Sequence, residues 1–167
     1  MYSDLARSVL IVDEEELDAE IRRMRERYPE AGIRELTDRL IVRAAVKCAL
    51  VGAVAAIPAS FIPVLPVAAD VSFQVRSLNG LALAVAHANR RRTTPVDRAA
   101  AAVGALALAG AARVFRRGFL RGARRSLAKN SPRLVPFAGA LAGAASGALA
   151  AWAAGRIARE AFGSRRR

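Results

Sequence analysis

A chain of 167 residues is enough for one domain, one able to bury roughly 70% of its unfolded surface. The composition is 54% hydrophobic but only 5% aromatic, and its many alanines and few β-branched residues favour helix over sheet. The formal net charge is +13; the single Cys48 excludes an internal disulfide and suits a reducing compartment, and the single His87 excludes a histidine-rich metal site.

The start, residues 1–16, has a brief apolar run (Val9 to Val12) followed by acids, and lacks the basic start and longer apolar stretch of a secretory signal. Asp13 to Tyr28 then places Leu17, Ile21, Met24 and Tyr28 on one apolar stripe at helical spacing. Its acids stand early and its arginines late, as the helix dipole prefers, and Pro29 and Gly32 end it. Residues 1–38 hold 11 of the 14 acids and six arginines; residues 39–167 hold 21 basic residues and three acids. Such an acidic cap on a basic apolar body either offers the helix 13–28 to a protein partner or shields the body itself.

A second helix is expected over 33–57, amphipathic in its first half and apolar on all sides in its second. The 22 residues from Cys48 to Ala69 carry no charge and lie at the threshold for crossing a bilayer, which takes about 20 apolar residues. Pro58, Pro63 and Pro66 forbid a continuous helix there, so an apolar hairpin is predicted. Pro66 suits the first turn of the next helix, which should reach about Asn89. Asp70 in its early part borders the apolar segment, either as a dipole or ion-pair partner (Lys47, Arg76) or as a polar site.

Thr94-Pro95-Val96-Asp97 has the cap, first-turn proline and acid of a helix start. The uncharged run Ala99 to Ala112 has the length of a buried core helix rather than a span. Arg113 to Arg133 carries eight basic residues and no acid. Arg113, Arg117, Arg121, Arg124 and Arg125 fall in one sector, opposite Phe115, Phe119, Leu120, Ala123 and Leu127, with Arg116 among the latter. This basic amphipathic helix, interrupted by Gly118 and Gly122, is a candidate for binding anions at a membrane interface. The competing reading is a surface helix whose apolar face packs on the bundle. In the last helix, about 136–162, Gly139, Gly143, Gly147, Ala151 and Gly155 repeat small residues every four positions and invite another helix to approach closely, and paired insertion with the 48–69 segment is expected over insertion alone. Its uncharged stretch, Leu134 to Gly155, contains ten alanines and four glycines among 22 residues, and basic residues on both sides favour a hairpin or shallow insertion over a simple crossing.

Taken together, the elements predict an all-α bundle of five to six helices with a proline-broken apolar hairpin and an Ala/Gly-rich C-terminal helix. It divides into an acidic region 1–32, an apolar and basic domain 33–162 and a basic tail 163–167. The order of Ile62-Pro63-Val64-Leu65-Pro66 with Ala69-Asp70, a helix ending in Ala86, Pro95 to Arg98 and Val135-Pro136-Phe137-Ala138-Gly139 resembles the EcsC-like family and the related YcjF-type bacterial inner-membrane proteins over roughly residues 36–162. Two positions depart from that pattern, Ala59-Ser60-Phe61 at the first proline and Leu78 midway along the next helix. The resemblance implies a membrane-associated helical protein, in some cases linked to transporters or GTPases, and carries over no catalytic residue.

No phosphate-binding loop, nucleophile elbow, paired cysteines or zinc-protease motif is present, so neither catalytic nor metal-ligating residues nor a cofactor are assigned. Cys48 reads as an inert core thiol and His87 as a solvated surface group. The expectation is a non-enzymatic scaffold or accessory protein that binds an anionic membrane and a protein partner, with self-association as a further option, on the cytoplasmic face of an inner membrane, peripheral or hairpin-inserted. The alternatives are a soluble oligomeric adaptor in the cytoplasm and a nucleic-acid binder. The basic residues are not interleaved with stacking aromatics, which disfavours nucleic acid.

Overall fold

A computed structural model describes residues 14–55, 67–89, 93–130 and 135–163, and these form an all-helical bundle without strands. The helices are α1 (Glu14–Arg27), α2 (Ile33–Ala55), α3 (Val67–Ala88), α4 (Pro95–Asn130) and α5 (Val135–Gly163). The proline segment between α2 and α3, residues 56–66, lies outside the described residues. The two helices flanking it pack against each other, as a hairpin requires.

The core helix is α3. Leu81, Ala82, Leu83, Ala84, Val85 and Ala86 are all buried, so this turn and a half is enclosed on every side. It touches each of the other four helices. α5 packs against α2, α3 and α4, with α2 its most extensive neighbour. α1 docks on α3 through Leu17, Ile21 and Met24, all buried, with Tyr28 partly so, as its stripe predicts. Each such burial is worth roughly 1.5–3 kcal/mol. Tyr28 also carries the Arg39 guanidinium 3.8 Å above its ring centroid.

Local chemistry sets the helix starts. At α4, Thr94 Oγ1 accepts from the Asp97 amide (3.2 Å), while Asp97 Oδ2 accepts from the Thr94 amide (2.9 Å) and from its hydroxyl (2.7 Å). This reciprocal pair satisfies two amides that the helix itself leaves unbonded, and Pro95 fills the first turn at no loss of a donor. α4 then runs unbroken for 36 residues, about 54 Å. The interruption expected at Gly118 and Gly122 does not occur. A Cβ at either glycine would meet nothing within 4 Å, so they lower helix propensity without imposing a turn.

The small-residue face of α5 does what its spacing predicts. A Cβ built on Gly147 would lie 2.7 Å from the carbonyl carbon of Cys48, and one on Gly52 would lie 2.8 Å from that of Gly143. Gly155 accommodates the Ile41 side chain in the same way. The pairs 52/143, 48/147 and 41/155 run in opposite directions along the two helices, so α2 and α5 are antiparallel with backbones in direct contact. Gly139 and Gly143 are buried along with Gly147.

Candidate functional site: an exposed apolar face with basic margins

From Cys48 onward α2 is apolar on all sides, yet the fold covers only part of the helix. Cys48, at 1% exposure, and Gly52 face α5, and Leu40 and Ala44 face inward. Val42, Val46 and Leu50 stand 61%, 53% and 63% exposed, and Val54 continues the row. At about 100° per residue these side chains point roughly 120–240° away from the Cys48 contact. On α5, Leu141, Leu149 and Trp152 are likewise exposed and point about 120–200° away from Gly147, with Phe137 beside them. Rotations centred near 180° carry each row to the outer side of its own helix, so α2 and α5 each present an apolar row turned away from their mutual contact, and the two rows together form the exposed apolar surface of the pair. Along the helices it extends about 18 Å from Val42 to Val54 and about 22 Å from Phe137 to Trp152.

Charge marks one end of the two rows. Asp38 accepts a hydrogen bond from Arg159 at 2.6 Å, tying the start of α2 to the end of α5. The Arg156 guanidinium lies 5.3 Å from the Trp152 ring centroid. Arg39 donates to Glu35 (Nη2···Oε1 2.7 Å), a bond that raises its guanidinium above the ordinary pKa. A tryptophan at the edge of an apolar surface, backed by arginines, is the arrangement found where protein meets the membrane–water boundary.

α4 supplies a second exposed surface and corrects one expectation. The run 99–112 is not a buried core element: only 17% of the most apolar stretch of Pro95–Phe119 is buried, chiefly along Ala105, Ala109 and Ala112. Val96, Val103, Leu106 and Val114 are exposed. Among the described residues, Pro95–Phe119 and Phe137–Gly163 are the two helical segments long and apolar enough to cross a membrane. Further along α4, Arg117, Arg121 and Arg125 are exposed and Arg113 is half-buried, so the predicted basic sector is only partly solvent-facing at its start. Phe115 and Phe119 stack with centroids 6.5 Å apart and remain exposed. At Phe115 and Phe119, α4 thus does not lay its apolar side on the bundle. The side chains of Arg124, Leu120, Ala123 and Leu127 lie outside the described residues, as does that of Asp70, whose backbone is in the first turn of α3.

The acids of α1 are turned onto the chain's own cations. Glu20 Oε1 lies 3.3 Å from Arg43 and 3.8 Å from Lys47, and Glu16 lies 3.9 Å from Arg76. Lys47 and Arg76, the two cations weighed as partners for Asp70, thus pair with α1. His87 is no solvated surface group: its side chain is 17% exposed and Nδ1 lies 3.0 Å from Asp18 Oδ1. The pairing is 69 residues long-range, and no local pattern signals it. Nor does a motif mark the α2 row; its one sequence signal is the i, i+4, i+8, i+12 spacing of Val42, Val46, Leu50 and Val54.

Among the described residues, no group of three or more His, Cys, Asp or Glu side chains is placed to hold a metal ion. No family model, no curated protein and no solved structure matches the chain.

Proposed function

We propose that this protein is a non-enzymatic, membrane-associated helical scaffold or accessory protein, seated by the exposed apolar rows of α2 and α5 in an anionic bilayer on the cytoplasmic side of an inner membrane. The observation that carries this reading is the pair of outward rows, Val42, Val46 and Leu50 on α2 and Leu141, Leu149 and Trp152 on α5, large apolar groups left exposed while small alanines take many of the buried positions. Contiguous exposed apolar surface of this kind marks an interaction or membrane site. Its reach of about 20 Å falls short of the hydrocarbon thickness of about 30 Å, which favours shallow seating of the helix pair over a full crossing. The exposed arginines of α4 add attraction to an anionic leaflet. The motif order shared with EcsC-like proteins supports the same assignment. A protein partner using helix 13–28 would have to compete with the ion pairs that α1 makes to Arg43, Lys47 and Arg76.

Fractionation tests the proposal. Membranes washed in 1 M salt, where the Debye length falls to about 3 Å, should retain the protein, and detergent should release it. Leu50→Glu with Trp152→Glu should shift it to the soluble fraction. Release of the unaltered protein by salt, as a monodisperse oligomer, would instead assign the face to a second copy of the chain and support the soluble-adaptor reading.

A further inference from the structure

An open cleft of about 650 Å³ runs between α1, α2 and α3. Its floor is apolar, with Leu40, Ala44 and Leu81, and the exposed Phe73 stands at its rim. Three cations line it, Arg43 and Lys47 from α2 and Arg76 from α3, against two carboxylates, Glu16 and Glu20 from α1. The ion pairs between them span 3.3–3.9 Å, longer than the roughly 2.7–2.9 Å of strong charge-assisted hydrogen bonds, and all three cations are at least half exposed. Pairs of that kind hold weakly. On α2, Arg43 and Lys47 lie between the buried Leu40–Ala44 row and the exposed Val46–Leu50 row, so the cleft opens onto the margin of the exposed α2 row.

We infer that this cleft binds the phosphate headgroup of an anionic lipid, and that Glu16 and Glu20 of α1 occupy it as intramolecular competitors. The inference rests on the membrane reading and adds to it a defined headgroup site and a means of controlling it. An amphiphilic anion matches both parts of the cleft: its phosphate replaces the carboxylates beside Arg43, Lys47 and Arg76, and its acyl portion lies over Phe73 towards Val46 and Leu50. A soluble anion would use only the first part.

The test is vesicle flotation of the full chain with phosphatidylcholine alone and with equal parts phosphatidylcholine and phosphatidylglycerol. Glu16→Gln with Glu20→Gln should tighten binding to the mixed vesicles by roughly 5- to 30-fold, the effect of one to two elementary charges at an anionic leaflet. Glu26→Gln with Glu30→Gln makes the same change in net charge away from the cleft and should alter binding less than about twofold. Adding Arg43→Gln, Lys47→Gln and Arg76→Gln to the first pair should abolish its gain, with circular dichroism confirming a helical fold. Equal gains from the two glutamate pairs would overturn the cleft as a site while leaving the membrane reading intact, as would a gain that survives loss of the three cations. Failure of every variant to float with either vesicle would overturn both.

Discussion

Gly147 lies so close over the backbone of Cys48 that a Cβ there would fall 2.7 Å from the Cys48 carbonyl carbon. No rotamer change relieves that contact, because its partner is main chain. The α2–α5 pair must separate to admit any side chain, and its packing is set by what glycine lacks.

Gly147→Leu and Gly143→Leu should therefore each lower stability by roughly 1–3 kcal/mol or more, since overpacking forces backbones apart. Ala145→Leu, on the exposed side of the same helix, should cost under about 0.5 kcal/mol. Thermal melts in detergent check this. Equal tolerance at all three positions would contradict the close-packed pair.

The start of α4 rests on Thr94 and Asp97. Thr94→Ala removes the acceptor for the Asp97 amide and a donor to its carboxylate, and should destabilise the protein by about 1 kcal/mol. Thr94→Ser keeps the oxygen and should restore most of the loss. Urea unfolding followed by circular dichroism reads both.

His87 anchors α1. Replacing it with alanine removes the contact to Asp18 and should cost about 1 kcal/mol, with amide exchange in α1 accelerated more than in α3 or α5. Uniform acceleration across the bundle would mean that α1 has no independent opening.

Replacing Arg117, Arg121 and Arg125 with glutamine should weaken binding to anionic liposomes by about 3 kcal/mol if all three meet the leaflet, with little change for neutral liposomes. Titration by tryptophan fluorescence through Trp152 measures it. Unchanged affinity for anionic vesicles would turn this surface away from the membrane.

What was legible in the residues follows from how local each determinant is. The stripe Leu17–Ile21–Met24, the cap at Thr94 and the glycine spacing of α5 are written within one or two turns, and all appear in the fold. The length of α4 was not, because the expected boundary near Ala112 marks a change of polarity rather than a helix stop; no proline follows before Asn130. The orientation of α2 was hidden for the opposite reason. From Cys48 onward, with alanine, valine, leucine and glycine all round, no polar face distinguishes the side that meets α5 from the side that remains bare. Asp18 and His87 meet only through tertiary packing.

The pairing of Cys48 with Gly147 also has a consequence in time. The two positions are about a hundred residues apart, and a ribosome adding about 5–20 residues per second leaves α2 without α5 for roughly 5–20 s. In that interval both long sides of α2 are uncovered, the groove at Cys48 and Gly52 as well as the row at Val42, Val46 and Leu50. A nascent chain in this state is most sticky towards lipid and chaperones before its last helix emerges, and contact with a bilayer during synthesis would spare it aggregation while it waits.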